Sequence, residues 1–367
     1  MRRLASFSIA LQDGDVLNDP ILLRLYQGYD VPRPPVWMMR QAGRYLPQFR
    51  ELRARFDFLT LCKTPELAAR VTVQPVEELD VDGAVIFCDI LVLLEAMGLP
   101  VVFAGDRGPQ IEAPLRDEGD LARIHAPDPA RNLAYLDKAI RMAAKSLHGR
   151  NVPVIGFSGA PFTLACYAVE GQTSRDFYKM RRLMRGNPGA FRRLLDLLAD
   201  GVIDHLKAQV EAGAAMVQLF DTWGGLLGQN EYRLHVLPVM QRIVDAFKPG
   251  RTPVILYVNG SSALLDVMRE TGADALSVDW RTPLSQVRKK VGEKIILQGN
   301  LDPAALYSSP PDIRKAVLAM WEDHPRQRWI VNLGHGIPPD VPLEHARVFI
   351  QAVKALRYPC QDGDRTV

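Results

Sequence analysis

Short, mostly apolar runs of four to six residues recur along this chain, and most end at a polar or charged residue. In order they are Val36–Met39, Val85–Cys88, Val152–Phe157, Met216–Phe220, Val254–Val258, Ala275–Val278, Lys294–Leu297 and Arg328–Leu333. Bounded by turn signals, runs of this length predict buried strands. Between them the spacing turns helical. Phe49, Leu52 and Phe56 share a face over Gln48–Phe56, and Thr64-Pro65-Glu66 opens a second helix with a cap, a first-turn proline and an acid. Asp128-Pro129 starts a helix that carries Leu133, Leu136 and Ile140 and ends at Gly149. The most regular pattern opens at Asn187-Pro188, sets Leu194, Leu195, Leu198, Val202, Leu206 and Val210 on one side, and stops at Gly213. Leu264, Leu265 and Met268 make a helix ended by Gly272; Thr282-Pro283 caps a short one closed by Gly292; Pro342–Leu356 makes the last. Residues 99–127 and 170–187 read as irregular excursions, the first with room for a hairpin.

Alternation of strands and helices implies parallel strands, because parallel neighbours need a crossover. Eight such units predict a single (β/α)8 TIM barrel over residues 1–367, with loop excursions at the C-terminal face of the strands. An open doubly wound sheet is the competitor, but the Gly-x-Gly-x-x-Gly fingerprint is missing after the first strand.

Composition narrows the class. With 47 % hydrophobic and 24 % charged residues among 367, the chain has the balance of a globular protein in water. A net charge of +3 gives no argument for a nucleic-acid partner. Cys62, Cys88, Cys166 and Cys360 are scattered, with no Cys-x-x-Cys and no paired Cys/His spacing, so neither a zinc site nor a disulfide framework is expected. Arg2 and Arg3 precede an apolar patch too short for an export signal, and Asp13 and Asp15 follow it. The most apolar window, Ala84–Gly105, holds Asp89 and Glu95 and so predicts buried structure, not a membrane span. A cytoplasmic location is the expectation.

In barrels of this kind the active site lies at the C-terminal strand ends. The exits carry Arg40, Asp89, Ser158, Asp221-Thr222, Asn259, Asp279, Asn300 and His335. Arg40 and Arg44 flank Gln41, Ala42 and Gly43, and guanidinium groups match carboxylate geometry; the bland reading is two surface arginines on a loop. Asp89 sits among apolar neighbours, where a carboxylate is costly unless paired. It is either a structural partner for a helix start or an arginine, or an acceptor for substrate N–H groups and a stabiliser of developing positive charge. His335, between two glycines, is either a structural hydrogen-bonder or a site residue. Tyr167 reads first as core. Asp221 and Thr222 read equally as cap or substrate contact, and Trp223 and Trp280 as cavity walls or ordinary packing. These residues alone point to a barrel enzyme for an acidic, partly apolar substrate, with no phosphate loop, metal cluster or activated nucleophile in the sequence.

At these residues the chain resembles the uroporphyrinogen decarboxylase family. The resemblance rests on Met39-Arg40-Gln41-Ala42-Gly43-Arg44-Tyr45-Leu46-Pro47, Ile86-Phe87-Cys88-Asp89-Ile90-Leu91 and Gly156-Phe157-Ser158-Gly159-Ala160-Pro161. It continues in Tyr167-Ala168-Val169-Glu170-Gly171, Leu297-Gln298-Gly299-Asn300-Leu301-Asp302-Pro303 and Asn332-Leu333-Gly334-His335-Gly336. It implies a homodimeric barrel without cofactor or metal that converts the four acetates of uroporphyrinogen III to methyl groups, giving coproporphyrinogen III and four CO2. It further implies that Asp89 holds the pyrrole N–H groups, and that Arg40 and Arg44, with Arg50 a weaker candidate, bind carboxylates. Gln41, Ala42, Gly43, Tyr167, Thr222 and His335 would contact the tetrapyrrole, and Arg40 or His335 would donate the proton. Two departures stand out: Thr222 stands where some relatives carry a serine, and the loop Tyr257-Val258-Asn259-Gly260-Ser261 stands where many relatives are expected to carry a lysine. The rival expectations are a zinc-dependent corrinoid or thiol methyltransferase on a related barrel, and a non-catalytic porphyrin-binding protein.

Overall fold

The computed structural model describes residues 19–103, 108–324 and 327–359. Arg2, Arg3, Asp13, Asp15, Gly105 and Cys360 lie outside the described residues. Nine strands are found there: β1 (Ala84–Val85), β2 (Val101–Phe103), β3 (Pro109–Ile111), β4 (Val154–Gly159), β5 (Met216–Asp221), β6 (Val254–Val258), β7 (Ala275–Val278), β8 (Ile296–Leu301) and β9 (Trp329–Leu333). β1 and β4 to β9 form one parallel sheet of seven strands in chain order. β2 and β3 make a separate antiparallel hairpin, in the excursion where one was allowed for.

The sheet curls until its two edges meet at one residue. Val36 forms a parallel bridge with Val331 of β9, and its carbonyl accepts from Asp82 N–H (2.8 Å) just before β1. Asp82 fastens this seam: it accepts two 2.7 Å bonds from the Arg33 guanidinium and a third from Val36 N–H. The strand expected over Val36–Met39 is therefore reduced to a bridge. Its later residues are drawn into a turn instead, where Met38 N–H donates to Gln41 Oε1 and Met39 N–H to Asn332 Oδ1.

β6 and β7 keep the bounds expected of them, and β5 gains only Asp221. β1 ends early because Phe87 N–H donates to Thr72 Oγ1 on the helix Pro65–Leu79, away from the sheet. β4 and β8 start two residues later than expected and run on, so Ser158, Gln298 and Asn300 are strand residues. The 170–187 excursion is not irregular throughout: Tyr178–Gly186 is helical, with Met180 and Met184 buried one turn apart. Its five Arg and Lys residues mask that stripe. The helix expected from Asp128 breaks at Leu133 into Pro129–Asn132 and Ala134–Leu147. Asn187 caps Pro188–Glu211 by accepting from Ala190 N–H, which satisfies a donor the helix leaves open.

Inside the curl, Gln298 Nε2 donates to Gln218 Oε1 (3.1 Å) and Ser277 Oγ (2.9 Å), while Trp37 Nε1 donates to Gln298 Oε1 (3.1 Å). This polar tie links β5, β7 and β8 to the segment leading into Arg40. Among the described residues no helix is long and apolar enough to cross a membrane.

Candidate active site

Arg40 leaves the Val36 bridge with φ +61°, a left-handed conformation uncommon for a residue with a side chain. Such a backbone persists where neighbours over-determine it. Here Met39 is gripped on both sides: its N–H donates to Asn332 Oδ1 and its carbonyl accepts from Ile337 N–H, each at 2.9 Å. The Arg40 stem lies across Gly336, and the guanidinium has no carboxylate partner among the described residues. Arg44 is likewise exposed and unpaired there. Arg50 is committed to the loop, since its Nη1 donates to the carbonyls of Arg44 and Tyr45.

Gln41, expected at the substrate, has its side chain engaged within the protein. It is buried; Oε1 accepts from Met38 N–H, Nε2 donates to Gly83 O (2.8 Å), and its carbonyl accepts from the Tyr45 hydroxyl (2.6 Å). Its side chain holds the Arg40 turn against the start of β1. Ala42 and Gly43 are half-buried in the same turn, where a Cβ on Gly43 would sit 3.0 Å from Arg40 O.

Asp89 follows β1, the strand beside the Val36 bridge. One carboxylate oxygen, Oδ1, accepts from Leu91 N–H (2.8 Å) and shapes the turn into the helix Val92–Ala96. The second, Oδ2, has no hydrogen-bond partner among the described residues. The structural and functional readings thus fall on different oxygens. Burial pushes the carboxyl above its ordinary range, with the Leu91 N–H and the Arg40 charge opposing it. The Arg40 charge therefore reaches the Asp89 carboxyl, although the two form no ion pair among the described residues.

Tyr167 lies on the helix Pro161–Glu170, half-buried, edge-on to Phe177 and Trp223 at 6.2 and 6.3 Å between centroids. Its hydroxyl is 3.5 Å from Thr173 Oγ1. Burial raises its pKa; the hydroxyl's contacts with Thr173 and Trp223 oppose that, and the Asp89 and Arg40 charges act on it with opposite signs. His335 also joins this group. Its Nδ1 accepts from Gly336 N–H (2.7 Å), which leaves the proton on Nε2. Burial, then Arg40 and Arg281, push its pKa down to about 4, so the ring is neutral at pH 7.

Asp221 is neither helix cap nor open contact. Fully buried, it accepts from Thr163 Oγ1 (2.7 Å) and the Tyr232 hydroxyl (2.9 Å), and burial moves its pKa up to about 6. Thr222 beside it is half-buried, with no partner for its hydroxyl among the described residues. Trp223 packs on Phe177 at 4.7 Å and helps wall the Tyr167 side. Ser158, Asp279 and Asn300 are buried framework. Asn300 Nδ2 donates to the carbonyls of Asp279 and Thr282, both at 2.8 Å, and Asp279 accepts from Ser261 N–H (2.8 Å).

The loop thus clamped carries a residue the sequence reading missed. Arg281 sits 3.2 Å from Asn259 Oδ1 and stacks over Trp280, so a cation stands beside the 257–261 loop, where a lysine was expected in many relatives. Among the described residues no three His, Cys, Asp or Glu side chains group so as to hold a metal.

Residues 17–356 match the family model described as Uroporphyrinogen decarboxylase (URO-D). The chain is 45 % identical over 348 residues to the uroporphyrinogen decarboxylase of Hydrogenovibrio crunogenus, covering 93 % of this chain and 98 % of that one. It is 46 % identical over 349 residues to that of Hahella chejuensis, covering 94 % and 98 %. Among solved structures, a methyltransferase from Methanosarcina mazei superposes with a TM-score of 0.78 over 91 % of this chain and 97 % of that one. At 20 % identity this likeness speaks for the shared fold alone. The chain belongs to the uroporphyrinogen decarboxylase family.

Proposed function

We propose that this protein is a uroporphyrinogen decarboxylase that removes CO2 from the four acetates of uroporphyrinogen III to give coproporphyrinogen III, without cofactor or metal. The observation that carries the reading is the unengaged Oδ2 of Asp89, a carboxyl within the field of the unpaired Arg40 guanidinium, the two residues following neighbouring members of the sheet. Oδ2 accepts from the pyrrole N–H groups, and Arg40 and Arg44 pair with carboxylates. In each round a proton adds to the ring carbon, and the cation that forms on the pyrrole is stabilised by Asp89. The C–CO2 bond then breaks, and its electron pair neutralises the ring through an exocyclic double bond. Protonation of the exocyclic carbon and loss of the ring proton leave a methyl group. Each round releases one CO2 and takes up one proton, and the substrate is its own electron sink. Arg40 or His335 Nε2–H delivers the proton; Tyr167 and Thr222 face the macrocycle. Gln41 contributes by holding the Arg40 turn, and Ala42 and Gly43 by keeping it slim. The same reading takes the Val36 bridge as the eighth stave of a single-domain (β/α)8 barrel and the active form as a cytoplasmic homodimer.

The test is incubation of purified, metal-free protein with reduced uroporphyrinogen III, with the tetrapyrroles resolved by carboxylate number. Stepwise passage from eight carboxylates to four without added cofactor supports the reading. Tight binding with no CO2 release identifies a carrier. Neither binding nor release overturns both and calls for zinc analysis.

A further inference from the structure

Arg281, at the exit of β7, is held in a way its structural neighbours do not require. Its Nη1 lies 3.3 Å from Asp279 Oδ1 and 3.2 Å from Asn259 Oδ1, and its guanidinium carbon stands 4.2 Å over the Trp280 ring. Asp279 is fully buried and would need a cation if nothing else served it. It is already served by three donors: Ser261 N–H (2.8 Å), Ser261 Oγ (3.2 Å) and Arg281 N–H (2.9 Å). The guanidinium is thus surplus to that carboxylate, and its side chain is 49 % exposed. Its Nε and Nη2 donors have no partner among the described residues.

The backbone beneath it is rigid. Asn300 bonds the carbonyls of Asp279 and Thr282, on either side of Arg281. Stacking on an aromatic face leaves the donor edge of a guanidinium open while fixing its plane. The loop also touches the one that bears His335: a Cβ built on Gly334 would lie 2.9 Å from Trp280 Cβ, and the Tyr257 hydroxyl donates to Gly334 O (3.1 Å). Round the sheet the order is β7, β8, β9, Val36. His335 therefore has Arg40 on one side and Arg281 on the other, and both charges act on its ring.

We propose that Arg281 binds a peripheral carboxylate of the tetrapyrrole through Nε and Nη2, on the side of His335 opposite to Arg40. This rests on the decarboxylase reading and adds a third binding cation to it. A substrate with eight carboxylates gains from cations spread around its rim, whereas Arg40 and Arg44 come from a single turn. Trp280 and Asn259 act as positioning residues for this arginine.

The experiment compares Arg281→Ala, Arg281→Gln and Arg281→Lys with wild type in steady-state turnover of uroporphyrinogen III and in binding of oxidised, unreactive uroporphyrin. Losing one charge-assisted contact should raise KM and the porphyrin Kd by about tenfold, with kcat within about threefold. The lysine variant should recover part of the loss. Arg150→Ala, which removes an exposed arginine ahead of β4 paired with Glu77, controls for net charge and should change neither constant. Arg281→Gln keeps a polar arm on Trp280 and guards against misfolding of the alanine variant. Unchanged KM and Kd in a folded variant would overturn the proposal and leave Arg281 as a mere counter-charge to Asp279. Wild type that neither binds uroporphyrin nor releases CO2 would overturn the decarboxylase reading instead.

Discussion

The stem of Arg40 rests directly on Gly336: a Cβ added to the glycine would stand 2.7 Å from Arg40 Cγ, 2.9 Å from Nε and closer still to Cδ. Gly336 does not have a left-handed φ, so alanine suits its backbone and the collision falls on Arg40. Gly336→Ala is expected to lower kcat/KM by about tenfold to a hundredfold, because small misplacements of a binding group are that costly. With Arg40→Ala already in place the collision vanishes, so Gly336→Ala should then cost little more. A double-mutant cycle measures this, and additive losses would show that Gly336 acts elsewhere.

Asp89 sets activity against stability. A carboxyl whose folded pKa is raised stabilises the fold at low pH, and that contribution is lost as pH rises through the raised value. In its ionised form Asp89 is therefore unfavourable to the fold. Asp89→Asn keeps the acceptor for Leu91 N–H but removes the charge. Turnover should drop by on the order of a hundredfold or more, while the thermal midpoint holds or rises. A midpoint that falls steeply would make Asp89 a structural residue.

His335 has the opposite sign. Its folded pKa, about 4, lies below its unfolded value, so its contribution is fully present above about pH 6.5 and is lost as pH falls toward 4. His335→Asn should flatten part of the acid limb of urea midpoints measured between pH 7 and pH 5. His205, buried and also pushed down to about 4, retains its share of that limb. Because the ring is neutral at pH 7, kcat/KM of wild type and variant should keep parallel pH profiles from pH 6 to 8. If the variant changes only the pattern of partly decarboxylated intermediates, His335 binds and does not deliver the proton.

Tyr232 donates to the buried Asp221 carboxylate. Tyr232→Phe should destabilise the protein by about 1–3 kcal/mol through the lost donor. Asp221, with its pKa raised to about 6, is mostly protonated at pH 5 and charged at pH 8. The gap between variant and wild type should therefore widen from pH 5 to pH 8 in urea unfolding. An equal gap at both would mean the hydroxyl serves packing alone.

Strand–helix alternation exposed most of this architecture, since β6 and β7 are continuous apolar runs closed by polar exits. The exit rule also singled out Arg40, Asp89 and His335, since it needs only a strand end followed by a polar side chain. What escaped depends on partners distant in sequence. Nothing local to Val36–Met39 shows that Asn332 and Gln41 will take its N–H groups. The framework role of Gln41 needs Gly83, and that of Asn300 needs the carbonyls after β7. Arg281 was hidden because Thr282-Pro283 reads as a helix cap, and only the fold brings Asn259 alongside it.

Val36 stands between the two edges of the curled sheet, bridged to β9 on one side and bonded to Asp82, just before β1, on the other. Arg40 follows Val36 and Asp89 follows β1, so the two flank the Asp82 side of that junction. Under the decarboxylase reading a ligand gripping both is a suture across that junction. Occupancy should then slow amide exchange at Asp82, whose N–H donates to Val36 O across the junction, more than at β6 on the far side of the sheet.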